Sequence, residues 1–127
     1  MALKIAQRVA PKDRSAPAGP IDMNHLSNQA LGDANLALEV LRLFDDMSRT
    51  YFARLEQSTT VPQLLEHLHT LKGAALGVGA FGLAELARTA EAELRGGQPV
   101  NPERIDDIGV AVEEVSAFIA EQVKAAA

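Results

Sequence analysis

The chain has 127 residues, which is enough for one domain with a buried core and too few for two. Its residues are 47% apolar but only 4% aromatic, and Ala and Leu dominate, which favours closely packed helices over a sheet. A net charge of −5 argues against a nucleic-acid partner, and the absence of cysteine excludes disulfides, thiol nucleophiles and cysteine-ligated metals.

Residues 1–20 predict a flexible leader. They contain three prolines and four basic residues, and such a segment cannot bury enough apolar surface to offset its ordering entropy. A basic membrane-surface helix from Leu3 to Val9 is the less favoured alternative. No apolar run reaches membrane-spanning length, and the lack of cysteine suits a reducing, cytoplasmic setting, so we expect a cytoplasmic protein.

Two helices are predicted in the first half of the folded region. Asp22 caps a short helix that runs to Leu31 and is ended by Gly32. Asp33 caps a long second helix that stops before Ser58. The predicted buried face of this second helix consists of Ala37, Val40, Leu41, Phe44, Met47, Ser48, Tyr51, Phe52 and Leu55.

Three more amphipathic helices follow. Thr60-Val61-Pro62-Gln63 is a capping-box pattern that begins a helix ending near Gly79, the next runs from Phe81 to Arg95, and Asn101-Pro102 begins the last. Their predicted buried positions are Val61, Leu64, Leu68, Leu71, Ala75 and Val78, then Leu83, Ala87, Ala90 and Leu94, then Ile105, Ile108, Val112, Val115 and Ile119. The fold class is therefore all-α: residues 21–127 form an antiparallel four-helix bundle, with the short N-terminal helix as a lid.

The sequence contains no complete active site. His67 and His69 lie about 200° apart around a helix, so they cannot share a metal ion, and His67, at the edge of the buried face, is expected to have a packing role. Gly77-Val78-Gly79 lacks the Gly-Lys-Ser/Thr of a phosphate loop, and no serine sits in a nucleophile elbow. We therefore expect no metal site, no cofactor and no enzyme activity of the chain's own.

His69 is the unusual residue of the third helix. It projects roughly 130° away from the buried line, with Lys72 three residues and Gly73 four residues further along the same surface. The plain interpretation is a solvated surface histidine. However, a neutral imidazole is a competent phosphoryl acceptor, a lysine beside it stabilises the charged adduct, and a glycine followed by the small Ala74 lets another protein approach.

The run His69-Thr70-Leu71-Lys72-Gly73-Ala74-Ala75, followed by Gly79, Leu83, Ala87 and Glu91, resembles the histidine-containing phosphotransfer (HPt) domain of bacterial phosphorelays. The resemblance covers Ile21 to Val123, and Ala90 is a mild departure from its leucine-rich fourth helix. It implies that His69 takes a phosphoryl group at Nε2, that Lys72 steadies it and that Gly73 leaves room for a docking receiver domain.

Further residues belong to the expected partner-binding group. Glu91 and Arg95 match family positions that approach the histidine, although each could equally be a solvated charge. Glu66, one turn before His69, could orient the ring through Nδ1, but a plain surface role is favoured for it. Leu65 and Leu76 lie on the histidine side of the helix and, with Ala74, could form a transient docking patch or widen the core.

The resemblance implies a reversible phosphoryl carrier with no ATP site. Its expected partners are response regulator receiver domains, which would bring the Mg²⁺, and a hybrid or sensor histidine kinase; we expect a monomer with no membrane partner. One alternative is the phosphoacceptor domain of a chemotaxis-type histidine kinase, for which a long C-terminal continuation would be the distinguishing feature. Another is a helical adaptor that never carries phosphate.

Overall fold

Residues 19–127 are described by the computed structural model, and they form five α-helices. The helices are α1 (Met23–Gln29), α2 (Ala34–Gln57), α3 (Val61–Val78), α4 (Phe81–Arg95) and α5 (Pro102–Ala126). The predicted leader lies outside the described residues except for Gly19 and Pro20, as does the whole of the alternative helix from Leu3 to Val9. Within residues 19–127, no helix is both long enough and apolar enough to cross a membrane.

Side-chain caps fix where the helices begin. Asp22 and Asp33 each accept a hydrogen bond from the backbone three residues on, and Asn101 does so from two residues on. Thr60 and Gln63 form the complete capping box at the start of α3. Because these caps depend only on local sequence, the starts of α1, α2, α3 and α5 agree with the sequence-based prediction.

The four long helices form a closed ring. α2 packs on α3, α3 on α4 and α4 on α5, and α5 returns to pack on α2. The short connections between consecutive helices make neighbours antiparallel, which confirms the predicted bundle. α1 lies across α2 and α3 and is tied to the end of α3, where the backbone N–H of Asp22 donates to the Gly79 carbonyl at 3.0 Å.

The core follows the apolar faces of all five helices. Its fully buried large side chains are Ile21, Leu26, Leu41, Leu68, Leu71, Leu83, Ile108 and Ile119, with Ser48 among them. Two sequence-based predictions are wrong, one about a core residue and one about the end of α1. Val61 is 42% exposed because it occupies the first turn of α3, beyond the end of the packed face. α1 ends at Gln29 and not at Leu31, because Leu31 takes a left-handed conformation (φ 56°) that leaves the helix.

Candidate functional site

His69 stands on the outer wall of the bundle, near the middle of α3. Its side chain is 66% exposed, while Leu68 and Leu71 on the same helix are fully buried. The 3.6-residue repeat of α3 therefore places apolar side chains in the core and the imidazole in solvent. This is the placement that the sequence predicted for His69.

A buried carboxylate lies beneath the imidazole. Glu91, on the neighbouring helix α4, is only 6% exposed, and its Oε2 lies 3.2 Å from Nδ1 of His69. Oε2 also accepts from Nε and Nη2 of Arg95, at 3.1 and 2.9 Å. The other oxygen, Oε1, lies 2.9 Å from Nζ of Lys72. One carboxylate thus brings together the imidazole and two cationic side chains.

The pKa of Glu91 reflects this arrangement. Burial alone would raise the pKa of its carboxyl group, but the contacts with Lys72, Arg95 and His69 more than offset burial and lower the pKa from 4.5 to about 2. Glu91 is consequently ionised at neutral pH. An ionised carboxylate can only accept hydrogen bonds, so the proton between it and the imidazole belongs to His69.

This hydrogen bond determines which ring nitrogen is free. Because Nδ1 of His69 donates to Glu91, a neutral imidazole carries its only proton on Nδ1. Nε2 then has an unshared electron pair, on the side of the ring away from Glu91. Glu91 therefore fixes the ring through Nδ1 and leaves Nε2 as the nitrogen with the free electron pair.

Two cationic side chains share the buried carboxylate. Lys72 and Arg95 carry two positive charges against the single negative charge of Glu91, so this group of three side chains has a net charge of about +1. Lys72 is bound to Glu91 in this structure and is not free in solvent. Lys72 and His69 lie three residues apart on α3, so they are neighbours on one face of the helix.

The other residues predicted to bind a partner are placed differently from one another. A Cβ atom on Gly73 would meet no heavy atom within 4 Å, so the surface beside His69 is open. Leu76 is 47% exposed, whereas Leu65 and Ala74 are partly buried against the core. Glu91, predicted in the same group, is too buried to form a docking surface, and its contacts are internal.

Two alternatives from the sequence are resolved by the packing of α3 on α4. Glu66 is exposed, and Nδ1 of His69 donates its hydrogen bond to Glu91, so Glu66 has the plain surface role that the sequence favoured for it. His67 is partly buried and packs edge-on against Tyr51, with ring centroids 5.7 Å apart, as its predicted packing role requires. Among residues 19–127, no cluster of histidine and acidic side chains could hold a metal ion.

Comparisons with known proteins identify the family of this chain. The Hpt domain family matches residues 39–123, about two thirds of the chain. The chain belongs to the Hpt domain family. Its structure is similar to that of histidine phosphotransferase ShpA from Caulobacter crescentus, with 29% sequence identity and a TM-score of 0.65 over 84% of this chain and 92% of that one. Among curated proteins, none matched the sequence.

Membership of this family gives the function in general terms. An Hpt domain carries phosphoryl groups on histidine in phosphorelays, and it exchanges them with receiver domains and histidine kinases. The Hpt domain described here is accordingly a phosphotransfer carrier. Family membership alone does not identify the residues that carry out the transfer.

Proposed function

We propose that Nε2 of His69 accepts the phosphoryl group from the aspartyl phosphate of a receiver domain and later returns it to a second receiver. The observation that supports this most directly is the pairing of an exposed imidazole with a buried, ionised carboxylate. The carboxylate holds Nδ1 and leaves Nε2 facing solvent. An orienting hydrogen bond of this kind is what a nucleophilic imidazole needs.

The transfer balances without any further reactant. The electron pair of Nε2 attacks phosphorus, the N–P bond forms, and the P–O bond to the aspartate breaks, leaving a carboxylate on the receiver. The ring keeps its proton on Nδ1 and becomes positively charged. Glu91 then faces that new charge at 3.2 Å and stabilises it. Because the same atoms run the reverse reaction, transfer is reversible.

Lys72 supplies the neighbouring positive charge. As phosphorus moves to Nε2, its equatorial oxygens carry negative charge through a loose transition state. The ammonium group of Lys72, now 2.9 Å from Oε1 of Glu91, lies one helical turn from the ring and can turn towards those oxygens. The chain needs no cofactor of its own in this scheme, since the Mg²⁺ that assists the transfer belongs to the receiver domain.

A labelling experiment with matched histidine variants tests the proposal. The protein is incubated with each receiver domain of the host organism in its ³²P-phosphorylated form, and the label is assayed for the acid lability and alkali stability of phosphohistidine. We expect wild type and His67→Gln to be labelled and His69→Gln to be unlabelled, with the melting temperature of His69→Gln unchanged because the ring is exposed. Retained label in His69→Gln would refute the assignment, and uptake from a kinase core with ATP but from no receiver would favour the chemotaxis-type alternative.

A further inference from the structure

The hydrogen bond between His69 and Glu91 also bears on the step in which the phosphoryl group leaves the ring. When the aspartate of a receiver attacks phosphorus, the N–P bond breaks and its electron pair returns to Nε2. A ring that still has its proton on Nδ1 then departs as neutral imidazole. A ring that has lost this proton has to depart as an imidazolide anion, which is a far poorer leaving group. The outgoing transfer therefore depends on the proton at Nδ1.

The surroundings of Nδ1 favour keeping that proton. Within residues 19–127, the hydrogen-bond partner of Nδ1 is Oε2 of Glu91, at 3.2 Å. Glu91 is ionised at neutral pH, with a pKa of about 2, and an ionised carboxylate can only accept a hydrogen bond. Its negative charge favours the protonated, positively charged form of a phosphorylated ring over the uncharged form. Because the carboxylate is only 6% exposed, water screens this charge less than it would at the surface.

The other charged groups around the ring cannot replace Glu91. Lys72 and Arg95 are cations, which disfavour a positive ring, and both are paired with Glu91 itself. Glu66, one turn before His69, is exposed and forms no hydrogen bond with the imidazole. In the described part of the chain, no side chain of α1 or α2 forms an ion pair or hydrogen bond with this ring. Without the charge of Glu91, the ring would have two cations nearby and no carboxylate in contact with it.

We propose that Glu91 holds the proton on Nδ1 of phosphorylated His69, so that the ring leaves as neutral imidazole when the phosphoryl group passes to the next receiver. The inference rests on the proposed function of His69 and extends it to the outgoing transfer. An oxygen of the receiver's aspartate forms the new O–P bond, the N–P bond breaks, Nε2 recovers its electron pair and Nδ1 keeps its proton. Glu91 itself neither gains nor loses a proton. Onward transfer consequently stays efficient further into the alkaline range than it would without this carboxylate.

The pH dependence of the outgoing transfer tests this role. Wild type, Glu91→Gln and Glu91→Asp are phosphorylated by a receiver that labels wild type, separated from it, and mixed with fresh receiver from slightly acid to strongly alkaline pH. Dividing the rate of each variant by the wild-type rate at the same pH removes the receiver's own titration. For Glu91→Gln, this ratio should be constant at low pH and then fall about tenfold per pH unit where its Nδ1 loses the proton. Glu91→Asp keeps a carboxylate, so its ratio should begin to fall at a higher pH.

A control variant and a direct measurement accompany the profile. Glu85→Gln removes a carboxylate from α4 that is 62% exposed and pairs with Arg88, and its ratio to wild type should not change with pH. ¹⁵N NMR of isolated, phosphorylated wild type follows the proton on Nδ1 without any receiver or variant. We expect Nδ1 to keep its proton to a higher pH in the protein than in free Nε2-phosphohistidine.

The outcomes separate this role from the identity of the acceptor. A Glu91→Gln ratio that is the same at every pH would overturn the inference and leave His69 as the acceptor, because a merely misplaced ring transfers more slowly at all pH values alike. Loss of the Nδ1 proton in wild type at or below the pH seen for free phosphohistidine would overturn it as well, even if Glu91→Gln did not fold. A wild-type protein that no receiver labels would refute the proposed function, and this inference with it.

Discussion

Replacing Glu91 by glutamine removes one negative charge from beneath the imidazole while keeping the size of the side chain. The amide oxygen can still accept a hydrogen bond from Nδ1 of His69, so the ring keeps much of its orientation. What is lost is the attraction between the carboxylate and the positive ring that forms when phosphorus bonds to Nε2. The variant therefore separates charge stabilisation from positioning.

The size of the effect follows from the 3.2 Å separation of Nδ1 and Oε2. Opposite unit charges at that distance attract by about 1.3 kcal/mol in bulk water and about 5 kcal/mol at an effective dielectric constant near 20. His69 is largely exposed, so the value lies towards the lower end. We take the attraction lost in Glu91→Gln to be roughly 1.4 to 2.7 kcal/mol. This loss predicts that phosphoryl transfer from a phosphorylated receiver to the variant is about 10- to 100-fold slower than to wild type.

Rapid-quench measurement of labelled protein gives the transfer rate, and Glu85→Gln is the control. Glu85 also pairs with an arginine on α4, but its side chain is 62% exposed and it makes no contact with His69. The control should transfer phosphate at the wild-type rate. A Glu91→Gln protein that matches wild type would refute the claim that this carboxylate stabilises the phosphorylated ring.

The same variant tests the lowered pKa of Glu91. A carboxyl group whose pKa falls from 4.5 in the unfolded chain to about 2 on folding stabilises the fold fully above pH 4.5 and loses that contribution as pH falls towards 2. The melting temperature of Glu91→Gln should therefore lie several degrees below wild type at pH 7, since about 1–2 kcal/mol of charged hydrogen bonding is lost. The difference in melting temperature between wild type and Glu91→Gln should become smaller as the pH falls from 4.5 to 2. A difference that stays constant over this range would contradict the lowered pKa of Glu91.

Three further substitutions have distinct expected results. Lys72→Ala should slow receiver-dependent labelling about tenfold or shorten the lifetime of the phosphohistidine, and it should also lower the melting temperature, because it leaves Oε1 of the buried Glu91 without its ammonium partner. Gly73→Gln should raise the stability of the helix by up to about 1 kcal/mol, because the new Cβ meets no other atom in the free protein. The same side chain should weaken receiver binding in a titration. Gly82→Gln, at an equally open site on α4, is the control and should leave binding unchanged. Gly79→Ala should cost about 1–3 kcal/mol in denaturant unfolding, more than Gly32→Ala, because both glycines have positive φ but only at Gly79 would a Cβ lie 3.0 Å from the carbonyl oxygen of Asp22.

Local sequence was enough to predict most of the fold. Capping residues such as Asp33 and Thr60 act on backbone groups within three residues, so helix starts were predicted correctly. The same holds for His69, whose exposure follows from its angle to Leu68 and Leu71 on one helix. Local rules failed at Leu31, where a non-glycine residue takes the left-handed conformation expected of the glycine after it.

The arrangement beneath His69 could not be predicted in the same way. Glu91 is 22 residues away in sequence, and its contact with Nδ1 depends on how α3 and α4 pack. The sequence offered one signal, the spacing of four residues between Glu91 and Arg95, but an exposed ion pair has the same spacing. The sequence also did not predict a shallow apolar groove between α2 and α3, lined by Val40, Leu43, Phe44, Met47, Ala74 and Val78. Val40 and Met47 were assigned to the core, but they are only partly buried against it.

The most direct test of the account is to identify the phosphorylated nitrogen. The protein is labelled with ¹⁵N-histidine, phosphorylated by a receiver domain that transfers to it, and examined by NMR for coupling between phosphorus and the ring nitrogens. We predict one phosphorylated histidine, His69, with phosphorus on Nε2 and a proton retained on Nδ1. Phosphorus on Nδ1 of His69, or on His25 or His67, would contradict it, because Glu91 would then not be holding the ring for attack through Nε2.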